Sequence, residues 1–184
     1  VAIAKVEGAL AALVALLRNG SAVGKEKAAG ALWSLAVNAD NKVAIAKVEG
    51  ALAALVALLR EGSAVGKEKA AGALGSLAAN ADNQVAIAKV DGALAALVAL
   101  LRDGSAAGKE YAAVALKNLA INDDNEVAIA IAKVDGALAA LVALLRNGSV
   151  VGKEKAAGAL KNLAFNADNK KLLLKLGYTA GTLA

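Results

Sequence analysis

The chain has few groups suited to covalent chemistry. It contains no Cys and no His, which excludes thiolate nucleophiles, Cys-held metals and the commonest general base. GSAVGKEK, at 20–27, orders Gly, Gly and Lys as a phosphate-binding loop would. That loop requires four residues between its glycines, a Ser or Thr after the Lys, and a preceding strand. Here three residues separate Gly20 from Gly24, and Glu26 follows Lys25. The preceding segment has a helical pattern, so the motif is rejected. NDDNE, at 122–126, gathers Asp123, Asp124 and Glu126. It lacks the alternating ligands and the Gly of a calcium loop, and acids are favoured at a helix N-terminus in any case. No catalytic set, metal, cofactor or small-molecule substrate is expected.

The elements that hold these residues repeat. GKEKAAGAL occurs at 24–32, 66–74 and 152–160, and GKEYAAVAL replaces it at 108–116. IAKV recurs at 3, 45, 87 and 131, with spacings of 42, 42 and 44 residues. Four units follow, at 1–42, 43–84, 85–126 and 127–170, with a partial unit at 171–184. Together they form one domain.

Hydrophobic residues make up 59% of the 184 residues and aromatics 2%. The apolar mass is Ala, Leu and Val, which favours helix over strand. Mean hydropathy is +0.57, yet stretches free of charge run only to about a dozen residues, against the roughly 20 needed to span a bilayer. No membrane partner is expected. The net charge of +5 is mild and permits an anionic partner. The chain has no Met and no signal-peptide pattern, which fits a fragment or processed chain, cytoplasmic or nuclear if natural. Pro is absent along with Cys, His and Met, and this points to an engineered or consensus-derived sequence.

Each unit divides into three helices. VAIAKVEG makes a short first helix, with Asp40 or Asn41 as its N-cap in the second unit. Gly8 and Gly50 break direction. ALAALVALLR forms a second helix, apolar nearly all round through Leu10, Leu13, Val14, Leu16 and Leu17, and expected to be the buried spine. Gly20 ends it in a C′ position. Ser21 caps the third helix, which carries Leu32 and Leu35 on one face. No unit can bury its own apolar face, so the units must stack.

Three helices in about 42 residues with a Gly hinge after the first resemble the armadillo repeat. GALAALVALLRNGSA and GKEKAAGALKNLA are similar to its plant and protist form, with Ala11 and Ala12 where that form often has two prolines. HEAT repeats are the nearest rival but lack the short first helix. The resemblance implies an all-α, right-handed α-solenoid of about four three-helix repeats, an α-α superhelix. It also implies that an extended peptide binds the concave face formed by the third helices.

The resemblance aligns AAGALWSLA with the family pattern Ala-Ala-Trp-Ala-Leu-x-Asn-Leu/Ile-Ala. The family's groove Trp falls at Gly30, Gly72, Val114 and Gly158, and its ligand-pairing Asn at Ser34, Ser76, Asn118 and Asn162. An amide can satisfy both the donor and the acceptor of a peptide unit, which Ser does only weakly. One turn before the Trp position stand Lys27, Lys69, Tyr111 and Lys155, and beside the Asn position stand Trp33, Gly75, Lys117 and Lys161. Such a face would repel a cationic peptide and favour an acidic one. A Lys-Glu-Lys run at the first turns of a helix is, however, usually a solvated face, and that reading is preferred for the lysines. Helices about 8–10 Å apart and a strand rise of about 3.3 Å give two or three ligand residues per repeat. Unit three, with Tyr111, Val114 and Asn118, is the best single contact candidate, although Tyr111 and Val114 can equally pack on a neighbouring helix.

The expected function is a non-catalytic scaffold that binds a protein or extended peptide. A natural peptide-binding fragment preferring acidic segments is the first alternative. Binding of nucleic acid by the basic surface is a minor one, since stacking aromatics are scarce. The first unit carries no polar cap, so end-to-end association of copies is expected through it. Two extra residues near 127–132 would turn a helix by about 200°, predicting a bulge or re-registered helix and altered packing between units three and four.

Overall fold

The computed structural model describes residues 8–121 and 126–179. Twelve α-helices run through them: α1 (Ala9–Asn19), α2 (Ala22–Leu35), α3 (Ala39–Lys47), α4 (Ala51–Glu61), α5 (Ala64–Leu77), α6 (Ala81–Ala88), α7 (Ala93–Asp103), α8 (Ala106–Leu119), α9 (Glu126–Lys133), α10 (Ala137–Asn147), α11 (Val150–Leu163) and α12 (Ala167–Lys175). No strand occurs among the described residues. From α3 onward the helices come in threes, and the threes stack as an α-solenoid. The third helices α2, α5, α8 and α11 pack most extensively on one another, and each also packs on its own second helix. No single helix among the described residues is long and apolar enough to cross a membrane.

Local chemistry sets each boundary. Gly50 and Gly92 precede the second helices with φ of 74° and 71°, a conformation in which Gly carries no Cβ penalty. This is the expected break in direction. Ser63 accepts from Gly66 N–H at 3.0 Å, the expected cap of a third helix, and Ser21 does the same for Gly24 N–H at 3.2 Å. GSAVGKEK is thereby accounted for as a helix start.

Two expectations need correction. The short helix α3 is capped by Asn38, whose Oδ1 accepts from Asn41 N–H at 3.1 Å, and not by Asp40 or Asn41. Asp40 lies in the first turn, where its charge suits the macrodipole. Gly20 and Gly62 are extended, with φ of −73° and −72°, and not left-handed. They are needed for space: a Cβ at Gly62 would stand 2.5 Å from Leu58 O.

The expected single buried spine is a double layer. The helix α4 leaves Ala53, Ala57 and Arg60 exposed along one stripe. In α5, Ala70, Ala71, Ala73, Leu74 and Leu77 are completely buried. Small residues let third helices approach closely, and Leu fills the space behind them.

A row of buried amides stitches the short helices to the stack. Asn83 Nδ2 donates to Leu77 O and to Lys42 O of the preceding repeat, both at 3.1 Å. Asn41 Nδ2 donates to Leu35 O at 3.0 Å and Asn169 Nδ2 to Ala128 O at 3.1 Å. Leu35 O and Leu77 O lie at the ends of α2 and α5 and also accept from Asn38 and Asn80 N–H, while Lys42 and Ala128 lie within α3 and α9. Each amide thus uses a second lone pair of a carbonyl. A second stitch joins successive third helices. Ser105 Oγ donates to Glu68 Oε1 at 2.6 Å, and Ser63 and Ser149 make the same bond to Glu26 and Glu110.

The 44-residue unit keeps this register. The helix α9 is regular, and Ile131 is completely buried, as are Ile45 and Ile87. Val127 stands where Asn83 stands in α6, so the two added residues enter upstream of Val127. The described helix α9 is re-registered by two residues, and its inward face is not inverted. The third helices keep their packing, since α8 meets α11 as α5 meets α8 and the Glu110–Ser149 bond is retained; the expected change is confined to side-chain ties between the repeats. Asp123 and Asp124 of the acidic cluster lie outside the described residues, and Glu126 opens α9.

Two ties are missing at this step: Val127 has no amide to match that of Asn83, and the arginine tie is lost. Arg18 and Arg60 lie against Gly50 and Gly92 of the next repeat, and Arg146 Nη2 donates to Leu176 O at 3.1 Å. Arg102 turns instead to its neighbour, with Nε 3.1 and 3.0 Å from the two Asp103 carboxylate oxygens. That hydrogen bond holds the Asp103 carboxyl below the usual carboxylate range.

Candidate functional site

The four third helices lie side by side, so equivalent residues form rows across the stack. Lys27 and Ser34 on α2 are exposed, as is Lys161 on α11. Lys69 and Ser76 on α5, Lys117 and Asn118 on α8, and Lys155 and Asn162 on α11 are half-buried. Trp33, Tyr111 and Val114 are also half-buried. The stacking therefore gathers every residue singled out in the sequence onto one set of adjacent helices.

Each step between third helices sets a side chain against a glycine. From α2 to α5, Trp33 lies over Gly72, where an added Cβ would stand 2.8 Å from Trp33 Cδ2 and Cε2. From α5 to α8 the order reverses: Gly75 has no side chain, and its Cβ position lies 3.5 Å from Val114 Cγ1. From α8 to α11, the Lys117 stem covers Gly158, with Cδ 2.8 Å from an added Cβ. Close helix packing leaves room for a filler where the facing residue is a glycine. The departure of GKEYAAVAL from its sister copies follows in part, because Val114 faces the glycine at 75 that leaves it space.

Tyr111 answers the other change. Its ring meets Trp33 edge to face, with centroids 4.9 Å apart and planes at 76°, a favoured geometry. Trp33 stands on α2 and Tyr111 on α8, with α5 between them. The two side chains bridge two helix spacings above Gly72. Lys69 places Nζ 5.2 Å from the Trp33 ring centroid, within cation–π range.

The Asn positions are partly engaged inside the stack. Asn118 Nδ2 donates to Gly75 O and Asn162 Nδ2 to Lys117 O, each at 2.9 Å. One N–H is thereby used, and an amide has two N–H groups and a carbonyl oxygen. Ser34 Oγ donates to Gly30 O of its own helix at 3.0 Å, which commits its only proton.

The lysines of this face keep most of their charge unpaired. Among the described residues the ion pairs are Arg102–Asp103, Lys155–Glu154 and Lys171–Asp168. Lys27, Lys69, Lys117 and Lys161 have none. The acids beside them in the GKEK segments, Glu26 and Glu68, bond to the Ser caps of the next repeat. Among the described residues no three His, Cys, Asp or Glu side chains come close enough to hold a metal. The buried amides were missed by sequence reasoning, although the recurring NADN at 38–41, 80–83 and 166–169 was the signal for them.

A scan against protein-family models gives no match, and neither does a search of curated proteins. Solved structures match closely. A designed armadillo repeat protein in complex with the peptide (KR)4 is 32% identical, with 92% of this chain and 71% of that chain covered and a TM-score of 0.84. Computationally designed armadillo repeat proteins for modular peptide recognition give 32%, 92%, 71% and 0.85. An engineered protein solved by the Northeast Structural Genomics Consortium gives 33%, 92%, 70% and 0.85.

The chain belongs to the armadillo repeat family. The solved relatives named above are designed or engineered, in keeping with a sequence that uses no Pro, Cys, His or Met. Within the armadillo frame, α2, α5, α8 and α11 are third helices.

Proposed function

We propose that this armadillo solenoid is a non-catalytic scaffold that binds an extended peptide along the concave third-helix face, with a preference for acidic segments. The observation that carries the reading is the row of lysines without ion pairs, Lys27, Lys69, Lys117 and Lys161, beside two amides that keep a donor and an acceptor. The designed relative that holds (KR)4 supports the peptide-binding mode. The charge of the face here argues for the opposite ligand charge. Asn118 and Asn162 would anchor the peptide backbone, with Lys117, Lys155 and Lys161 facing its carboxylates.

The test is a binding screen of acidic, neutral and basic peptide pools at two salt concentrations. Acidic peptides should bind at low salt and weaken as salt rises, because exposed charges are screened. Asn118→Ala/Asn162→Ala should lower affinity by about tenfold, the loss expected from one or two hydrogen bonds. Equal binding of all three pools, or a basic preference, would sink the charge assignment.

A second reading has its own observation. The first repeat's α1 buries only Val14 and Leu17, and Leu16 remains 42% exposed. With Leu13, Ala31 and Leu35 it lines an apolar hollow of about 490 Å³. A second copy seated there would give end-to-end association. Light scattering should then show the mass rising with concentration, and a constant monomer mass would contradict it.

A further inference from the structure

We infer that Trp33 and Tyr111 close the third-helix face over the second repeat, so that a ligand peptide is confined to repeats three and four. The inference rests on the peptide-binding reading above and adds where that face is open. Gly72 and Gly75 give α5 a floor without side chains over one turn. That floor is already occupied. Trp33 reaches across from α2 to lie on Gly72, and Tyr111 reaches back from α8 to meet its edge. Lys69 lies against the same ring, so the lysine of repeat two is held by an intramolecular partner.

Beyond Tyr111 no such bridge exists among the described residues. The step from α8 to α11 is covered only by the stem of Lys117 over Gly158. Lys117 is flexible and its charged end remains free. Asn118 and Asn162 flank that step. One open step of about 8–10 Å accommodates about three extended residues. The preferred ligand is therefore a short acidic segment, and a longer one gains little. GKEYAAVAL marks the border, with Tyr111 closing the repeat before it and Asn118 opening the repeat after.

The closure is testable because Trp33 is the chain's only Trp. Tetraglutamate and octaglutamate are titrated against the full chain and against Trp33→Gly/Gly72→Val/Tyr111→Lys. This variant copies the Gly75–Val114 pairing and restores the sister sequence GKEK, so it should fold. In the parent, octaglutamate should bind no tighter than its extra sliding registers allow. In the variant it should gain about tenfold over tetraglutamate, as expected for added backbone and lysine contacts. A tenfold gain already present in the parent, or loss of tetraglutamate binding in the variant, would overturn the closure. If neither peptide binds either protein, the acidic-peptide reading fails. Acrylamide quenching then decides the closure alone: Tyr111→Ala should raise the Trp33 quenching constant by about twofold as one ring edge is uncovered, and an unchanged constant would overturn it.

Discussion

Leu74→Ala should destabilise the solenoid by about 3–5 kcal/mol, the range for deleting a well-packed Leu side chain. Leu74 is completely buried on α5, and α5 packs against α2 on one side and α8 on the other. Close packing on both sides leaves little scope for collapse into the cavity. Solenoid stability is a sum of repeats and their interfaces, so one cavity at the centre weakens two interfaces together. Leu16→Ala is the control. Leu16 is 42% exposed, so its truncation should cost well under about 1.5 kcal/mol, less than the transfer value for a fully buried side chain. Urea unfolding of both variants checks the contrast. Equal losses would mean that the third helices are not the core of the stack.

Gly75→Leu is the second large effect, expected to cost about 3 kcal/mol, near the upper end for overpacking. A Cβ at Gly75 would stand 3.4 Å from Ala115 Cα and N, which are backbone atoms of α8. Backbone cannot swing aside, so the larger side chain must push the helices apart. Val114→Gly should therefore leave most of the loss in place. Gly72→Ala has a different obstacle, the Trp33 ring. That ring can shift, so the loss should be near 1 kcal/mol, and Trp33→Ala should relieve it. A double-mutant cycle would show strong coupling between 33 and 72 and weak coupling between 75 and 114. Absence of coupling between 33 and 72 would contradict the account of Trp33 as the filler over Gly72.

How much of this was legible in the sequence depended on the range of the interaction. The second and third helices of each repeat, the Ser caps and the glycine hinges follow from local pattern and stand where the residues place them, while residues 1–7, where the first short helix is expected, lie outside the described residues. The short helix began earlier than expected because the cap is Asn38, three residues before the N–H it accepts from. The 44-residue unit kept its register from Val127 onward, with Ile131 buried as Ile45 and Ile87 are. Cross-repeat chemistry was not legible in the same way. Trp33 meets Gly72 and Tyr111 at separations of 39 and 78 residues, and nothing local announces a bridge that skips a helix. Asn118 was read as facing a ligand, and its tie to Gly75 O depends on how closely α8 approaches α5. Only the stacked geometry supplies that.

The measurement that tests the central claim most directly is a ¹H–¹⁵N NMR titration of the full chain with tetraglutamate at low salt. The account predicts saturable shifts of the Asn118 and Asn162 side-chain amides and of α8 and α11 backbone amides near Lys117 and Lys161. High salt should reverse these shifts, and α4 and α7 should stay unchanged. Shifts confined to the second helices, or no shift at saturating peptide, would contradict it.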